Sequence, residues 1–188
     1  PIVSVDSAAS ADYRVTHNNQ ASTADIGAMQ VRAAVMIACG VDFDPADADM
    51  TKGVEAALAS YTGDPINIGV LSAGIDTPVQ NGWIAEMEKE LAKDIYAGKV
   101  NPELDKKYGD DEFTKSTTQA QAFLNEGKVD VIISPTTVGI AAAAEVMKQA
   151  NSDIKVTGLG LPSEMKPYMP TSDADDASSF ICPLMLLW

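Results

Sequence analysis

The chain has 188 residues, 46% of them hydrophobic, with a formal net charge of −14 and an isoelectric point near 4.2. That length suits one domain or two small ones, and the apolar fraction is ordinary for a chain that buries a core. The acidic balance excludes the basic footprint of a nucleic-acid binder and opposes attraction to anionic membrane surfaces. No apolar run approaches the roughly 20 residues of a membrane span.

Pro1 to Val5 is predicted as a strand ended by Asp6-Ser7, and YRVTHN (13–18) as a second that runs into a polar turn at Asn19-Gln20. Ser22 or Thr23 caps a helix that runs to about Cys39 on the stripe Ile26, Met29, Ala33 and Met36, and Gly40 stops it. DFDPADADM (42–50) is an acidic loop. It lacks the glycine and terminal glutamate of a calcium loop and is read as solvated and helix-capping. A short helix follows over Lys52 to Tyr61, then a clear strand, INIGVLS (66–72). A helix from about Val79 to Tyr96 carries Ile84, Met87, Leu91 and Ile95 in register. The polar stretch 97–112 has room for a short edge strand, and Phe113 to Glu126 is helical with Phe113, Ala120 and Leu124 inward.

VDVIIS (129–134) is a buried strand that Pro135 stops, because proline removes a donor and keeps the preceding residue extended. Thr136 and Thr137 can each cap the helix that follows, whose inward face is Ile140, Ala143, Ala144 and Met147. IKVTGLG (154–160) is the next strand, ahead of a short helix near 163–168, an acidic loop at 172–176 and a last strand in FICPLMLLW (180–188). Strands alternating with helices predict an α/β fold, an open parallel sheet of about six strands with helices on both faces. Cys39 and Cys182 lie far apart in sequence; they are read as two buried free thiols in preference to a disulfide, which the sequence leaves open. The proline at position 1 and the apolar run stopping at Trp188 are read as the ends of an excised or truncated domain.

Nothing in the chain carries a catalytic, cofactor or metal motif. His17 is the single histidine, and GLG (158–160) runs into Leu161-Pro162 without the spacing of a dinucleotide fingerprint. What recurs is polar groups after strands: Asp6, then Asn19 and Gln20, then the loop Asp76–Asn81, then Thr136-Thr137. A parallel sheet puts all of them on one edge, where open α/β sheets bind ligands. A carboxylate among amides and hydroxyls suits a polyhydroxylated ligand, since the acceptors take hydroxyl protons and the amides both donate and accept.

VDVIISPTTVGIAAAA (129–144), VTGLGLPSEMKPY (156–168) and the closing LW resemble the rhamnose-binding proteins of bacterial ABC transporters, relatives of periplasmic binding proteins that also include the autoinducer-2-binding proteins. IVSVDS, NNQAS, PVQNGW and DDEFTKS (110–116) match the same group. The resemblance implies one α/β lobe, the second of two, with 1–6 and 180–188 as hinge-proximal strands. It also implies a rhamnose-like monosaccharide bound by closure against the N-terminal lobe, no catalysis, no cofactor, an extracytoplasmic location, and a membrane permease of an importer as partner. By motif, Asp6 matches a hinge-side carboxylate, Gln80 the glutamine of the QNxW motif, and Pro135 and Thr137 positions whose backbone touches ligand. Val79 stands where the autoinducer-2 pattern carries an aspartate, so that either Asp76 substitutes for it or the contact is absent. The expected ligand-binding set is therefore Asp6, Asn19, Asp76, Gln80, Pro135, Thr136 and Thr137. Autoinducer-2 binding, the effector domain of a sugar-responsive repressor, and a small α/β enzyme using Asp76 or His17 are the alternatives.

Overall fold

The computed structural model describes residues 2–5, 9–18, 22–44, 46–168 and 181–183. Seven strands and six α-helices run through them, alternating from β3 onward: β1 (Ile2–Val5), β2 (Arg14–Asn18), α1 (Thr23–Ala38), α2 (Thr51–Ser60), β3 (Ile68–Ser72), α3 (Pro78–Leu91), β4 (Asp105–Tyr108), α4 (Phe113–Glu126), β5 (Val131–Ser134), α5 (Thr137–Gln149), β6 (Lys155–Gly158), α6 (Pro162–Met165) and β7 (Ile181–Pro183). The expected parallel α/β fold is observed. Instead of about six strands in one sheet, five form the main sheet in the order β4-β3-β5-β6-β7, and β1 pairs with β2 in a separate parallel ribbon. Ile2, Val3, Val5, Tyr13 and Val15 of that ribbon and its approach are exposed.

The alternation of side chains along β3 and β5 divides the interior in two. Ile68, Val70, Val131 and Ile133 face a core shared with α1, α2 and α3, while Leu71 and Ile132 face a second core under α4 and α5. The strands are apolar on both faces, as fully covered parallel strands must be. Ser22 caps α1 by accepting the Asp25 N–H (3.2 Å), and the acidic loop does the same service further on: Asp47 accepts from Gly53 (2.7 Å) in the first turn of α2, and Asp49 from Thr51 (3.2 Å). Among the described residues no group of acidic, histidine or cysteine side chains is arranged to hold a metal ion, and no helix is long and apolar enough to cross a membrane. Cys39 is free and half-buried, and burial pushes its thiol pKa up. The side chain of Cys182 and the acidic loop at 172–176 lie outside the described residues.

Two helices differ from expectation. The long helix expected to reach Tyr96 stops at Leu91, and a separate 3-10 turn spans Asp94–Tyr96. The break shifts the phase, so Tyr96 is buried and Ile95 is exposed. On α4 the inward residues are Ser116, Ala120 and Phe123; Leu124 is partly buried, and Phe113 stands exposed at the first position, where the helix has not yet reached the sheet.

Candidate functional site

The sheet order makes a topological switch. From β3 the chain crosses over α3 to β4 on one side, and from β5 it crosses over α5 to β6 on the other. α3 packs in the first core and α5 in the second, so the two connections leave the carboxyl ends of neighbouring strands toward opposite faces. That divergence opens a crevice at the edge of an α/β sheet. The residues beside it are Ala73–Thr77 and the start of α3 on one side, and Pro135–Thr137 on the other.

The first wall is an ordered loop. Thr77 Oγ1 accepts from the Gly74 N–H (3.0 Å), the Thr77 N–H donates to Gly74 O (3.2 Å), and Asn81 Nδ2 donates to Ile75 O (2.8 Å). Asp76 and Ile75 are displayed to solvent at its tip. Gln80 lies on the same stripe of α3 as Ile84, Met87 and Leu91, one turn nearer the crevice. Its Oε1 is buried and, among the described residues, has no hydrogen-bond partner. An acceptor in that state is a place where a ligand hydroxyl gains its full hydrogen bond.

The second wall is the β5–α5 turn. Ser134 and Pro135 are buried, and Thr137 is exposed at the first position of α5. Ser134 Oγ donates to Leu71 O (2.8 Å), tying the turn to β3. Thr136 occupies the N-cap position but makes no capping hydrogen bond. Its hydroxyl donates instead to Asp111 Oδ1 (2.5 Å), which belongs to the loop after β4. Sequence reasoning left Asp110 and Asp111 out of the site. Both have positive φ (53° and 52°), a conformation non-glycine residues seldom adopt and one that Asp tolerates better than most. The sequence signal was there in Gly109-Asp110-Asp111, small and polar residues directly after a strand.

Asp6 and Asn19 lie outside the described residues, as does Gln20. Of the expected set, the structure therefore brings Asp76 and Gln80 to one side of the crevice and Pro135, Thr136 and Thr137 to the other. His17 is apart from them in β2, where its Nδ1 meets Ser4 Oγ of β1 at 3.0 Å.

A family model described as periplasmic binding protein domain matches residues 1–183. The chain is similar to a solved ABC transporter solute-binding protein from Clostridium phytofermentas with bound L-rhamnose, at 32% identity and a TM-score of 0.69 over 95% of this chain and 47% of that one. It is also similar to a sugar ABC transporter from Actinomyces odontolyticus, at 28% identity and a TM-score of 0.64 over 95% of this chain and 48% of that one. LsrB from Clostridium saccharobutylicum in complex with AI-2 shares the fold at 19% identity and a TM-score of 0.66, over 88% of this chain and 47% of that one. The chain thus spans about half the length of the solved structures it matches. No curated protein matches it.

Proposed function

Because this chain belongs to the periplasmic binding protein domain family, we propose that it is the C-terminal lobe of an extracytoplasmic substrate-binding protein of a bacterial ABC sugar importer. Its ligand is rhamnose or a similar monosaccharide, and it performs no catalysis. The observation that carries this reading is the crevice between β3 and β5, with Gln80 and Asp76 on one side and the β5–α5 turn on the other. The similarity to a rhamnose-bound protein over nearly the whole chain supports the choice of sugar.

In this reading the crevice takes one face of the sugar. Gln80 Oε1 accepts a hydroxyl proton, Asp76 takes another, the backbone at Pro135, Thr136 and Thr137 supplies further contacts, and Asp6 and Asn19 contribute from the hinge side. A second lobe covers the other face, and its hinge contact falls on the apolar ribbon of β1 and β2. Sugar bound to both lobes favours the closed arrangement over the open one, and the membrane permease reads that shift.

Calorimetric titration of a two-lobed protein carrying this chain tests the reading. L-rhamnose should bind more tightly than ribose or autoinducer-2. Asp6→Ala should cost about 1.5–3 kcal/mol, the scale of a charged hydrogen bond, and Gln80→Ala about 1 kcal/mol. Wild-type rhamnose affinity in both variants would remove these residues from the site, and preference for autoinducer-2 would replace the ligand.

A further inference from the structure

We propose that Asp111 is a positioning residue of the binding edge: its carboxylate latches the β5–α5 turn in the geometry that receives the ligand. The proposal rests on the reading of that turn as one wall of the sugar site. Asp111 follows β4 and Thr136 follows β5, and β3 lies between those strands in the sheet. The Thr136–Asp111 hydrogen bond therefore arches over the carboxyl end of β3 and joins loops whose strands are not neighbours. Thr136 is only 7% exposed, so its hydroxyl has little water to turn to.

Each end of the latch is set for this task. The loop after β4 is anchored to β3 by Gly109 N–H donating to Ser72 O (2.9 Å) and Asp110 N–H donating to Ala73 O (3.1 Å). The two consecutive left-handed residues then turn the chain so that the acidic side chains part: Asp110 pairs with Lys115 (3.1 Å), and Asp111 takes Thr136. At the other end, the Thr136 hydroxyl gives up the capping role that its position offers. Ser134 ties the same turn to Leu71 O from the opposite side of Pro135. The turn is thus held at both ends, one tie to β3 and one to the loop beyond it.

The test uses Asp111→Ala, Thr136→Val and the double variant, with Asp111→Asn and Thr136→Ser as conservative replacements that keep the acceptor and the donor. Two readouts are taken: amide hydrogen exchange in the ligand-free chain at Ile140, whose N–H donates to Thr136 O (3.0 Å), and at Ala141 next to it in the α5 ladder, and L-rhamnose affinity in the two-lobed protein. Loss of a hydrogen bond to a charged group corresponds to about tenfold in an equilibrium constant. Asp111→Ala and Thr136→Val should each speed exchange at those amides and weaken rhamnose binding about tenfold, with exchange elsewhere unchanged. The double variant should be no worse than either single, because the same interaction is removed. The Asn and Ser variants should stay within about threefold of wild type, since they retain the bond. Effects that multiply in the double variant, or exchange that rises over the whole chain, would overturn the latch. If the wild type binds no sugar, the functional reading fails, and the exchange arm alone decides the latch: unchanged protection at Ile140 and Ala141 in Asp111→Ala overturns it.

Discussion

Gly158→Ala should cost the chain more than about 4 kcal/mol, enough to consume most of the stability of an ordinary domain. Gly158 ends β6 at a φ of 146°, a backbone conformation that side chains rarely tolerate. A Cβ there would sit 1.9 Å from the backbone oxygen of Ser134 and 2.7 Å from its carbonyl carbon. Those are main-chain atoms of the adjacent strand, paired in register with Gly158, and Ser134 O also accepts the Leu159 N–H at 3.0 Å. Relief requires β5 and β6 to separate just where the β5–α5 turn begins. Gly98 is the matched control. Its φ is +72° and a Cβ would meet nothing within 4 Å, so Gly98→Ala should cost only the roughly 1–2 kcal/mol of left-handed backbone. Urea unfolding of the two variants checks this, and equal costs would refute the packing argument.

Removing Glu90 should cost about 3–5 kcal/mol, the range for breaking a buried ion pair from one side. Glu90 is 4% exposed, and Arg32 meets it with two nitrogens, Nε at 2.9 Å and Nη2 at 3.3 Å. Lys93 Nζ donates to the same carboxylate at 2.5 Å and Tyr96 OH at 2.9 Å. Arg32 also reaches Asp49 O (2.7 Å) and Thr51 Oγ1 (3.2 Å), so one cluster fastens α1 to α3 and to the start of α2. Glu90→Ala leaves the Arg32 guanidinium only the exposed Asp49 carboxylate at 3.9 Å, whereas Arg32→Met with Glu90→Leu should recover much of the loss. The pH dependence has a definite sign. Burial pushes the Glu90 carboxyl up, but Arg32, Lys93 and Tyr96 outweigh it and hold the pKa below the usual 4.5. A depressed folded pKa contributes stability that is complete above the unfolded value and is lost as pH falls through the folded one. Burial and the Glu90 charge push the Tyr96 phenol up, so its contribution is complete below about pH 10 and declines above it. Melting curves between neutral and acid pH should fall less steeply below pH 4.5 for Glu90→Gln than for wild type; parallel curves would remove Glu90 from the acid response.

Most of the architecture was legible because it was written in local pattern. The apolar runs at 66–72 and 129–134, the cap at Ser22, the stop at Gly40, and the stripe Ile140, Ala143, Ala144 and Met147 each follow from sequence neighbours, and the structure has β3 and β5 within those runs, α1 ending before Gly40 at a φ of 70°, and that stripe buried. What escaped depends on partners distant in sequence. Nothing near Leu91 predicts that its helix stops; the helix-forming residues continue, and past the break Tyr96 turns inward and donates to Glu90. Arg32 and Glu90 are 58 positions apart and carry no mutual signal. The separation of β1 and β2 from the main sheet is likewise a matter of tertiary placement, which alternation alone does not encode. At the site, Gln80 and the Pro135 turn could be found because they follow strands. Asp111 also follows a strand, but its hydrogen bond to Thr136 crosses a third strand and leaves no mark in the local sequence.

In the proposed function the chain holds one half of a sugar site. A sugar on a single open edge stays largely hydrated and lacks about half its partners. Each missing pair weakens binding by about 1 kcal/mol, and 1.4 kcal/mol is tenfold in affinity. Calorimetric titration of the 188-residue chain with L-rhamnose, beside the two-lobed protein, measures the difference directly. The two-lobed protein should bind in the micromolar range and the single lobe about a thousandfold more weakly; micromolar affinity in the single lobe would contradict the half-site.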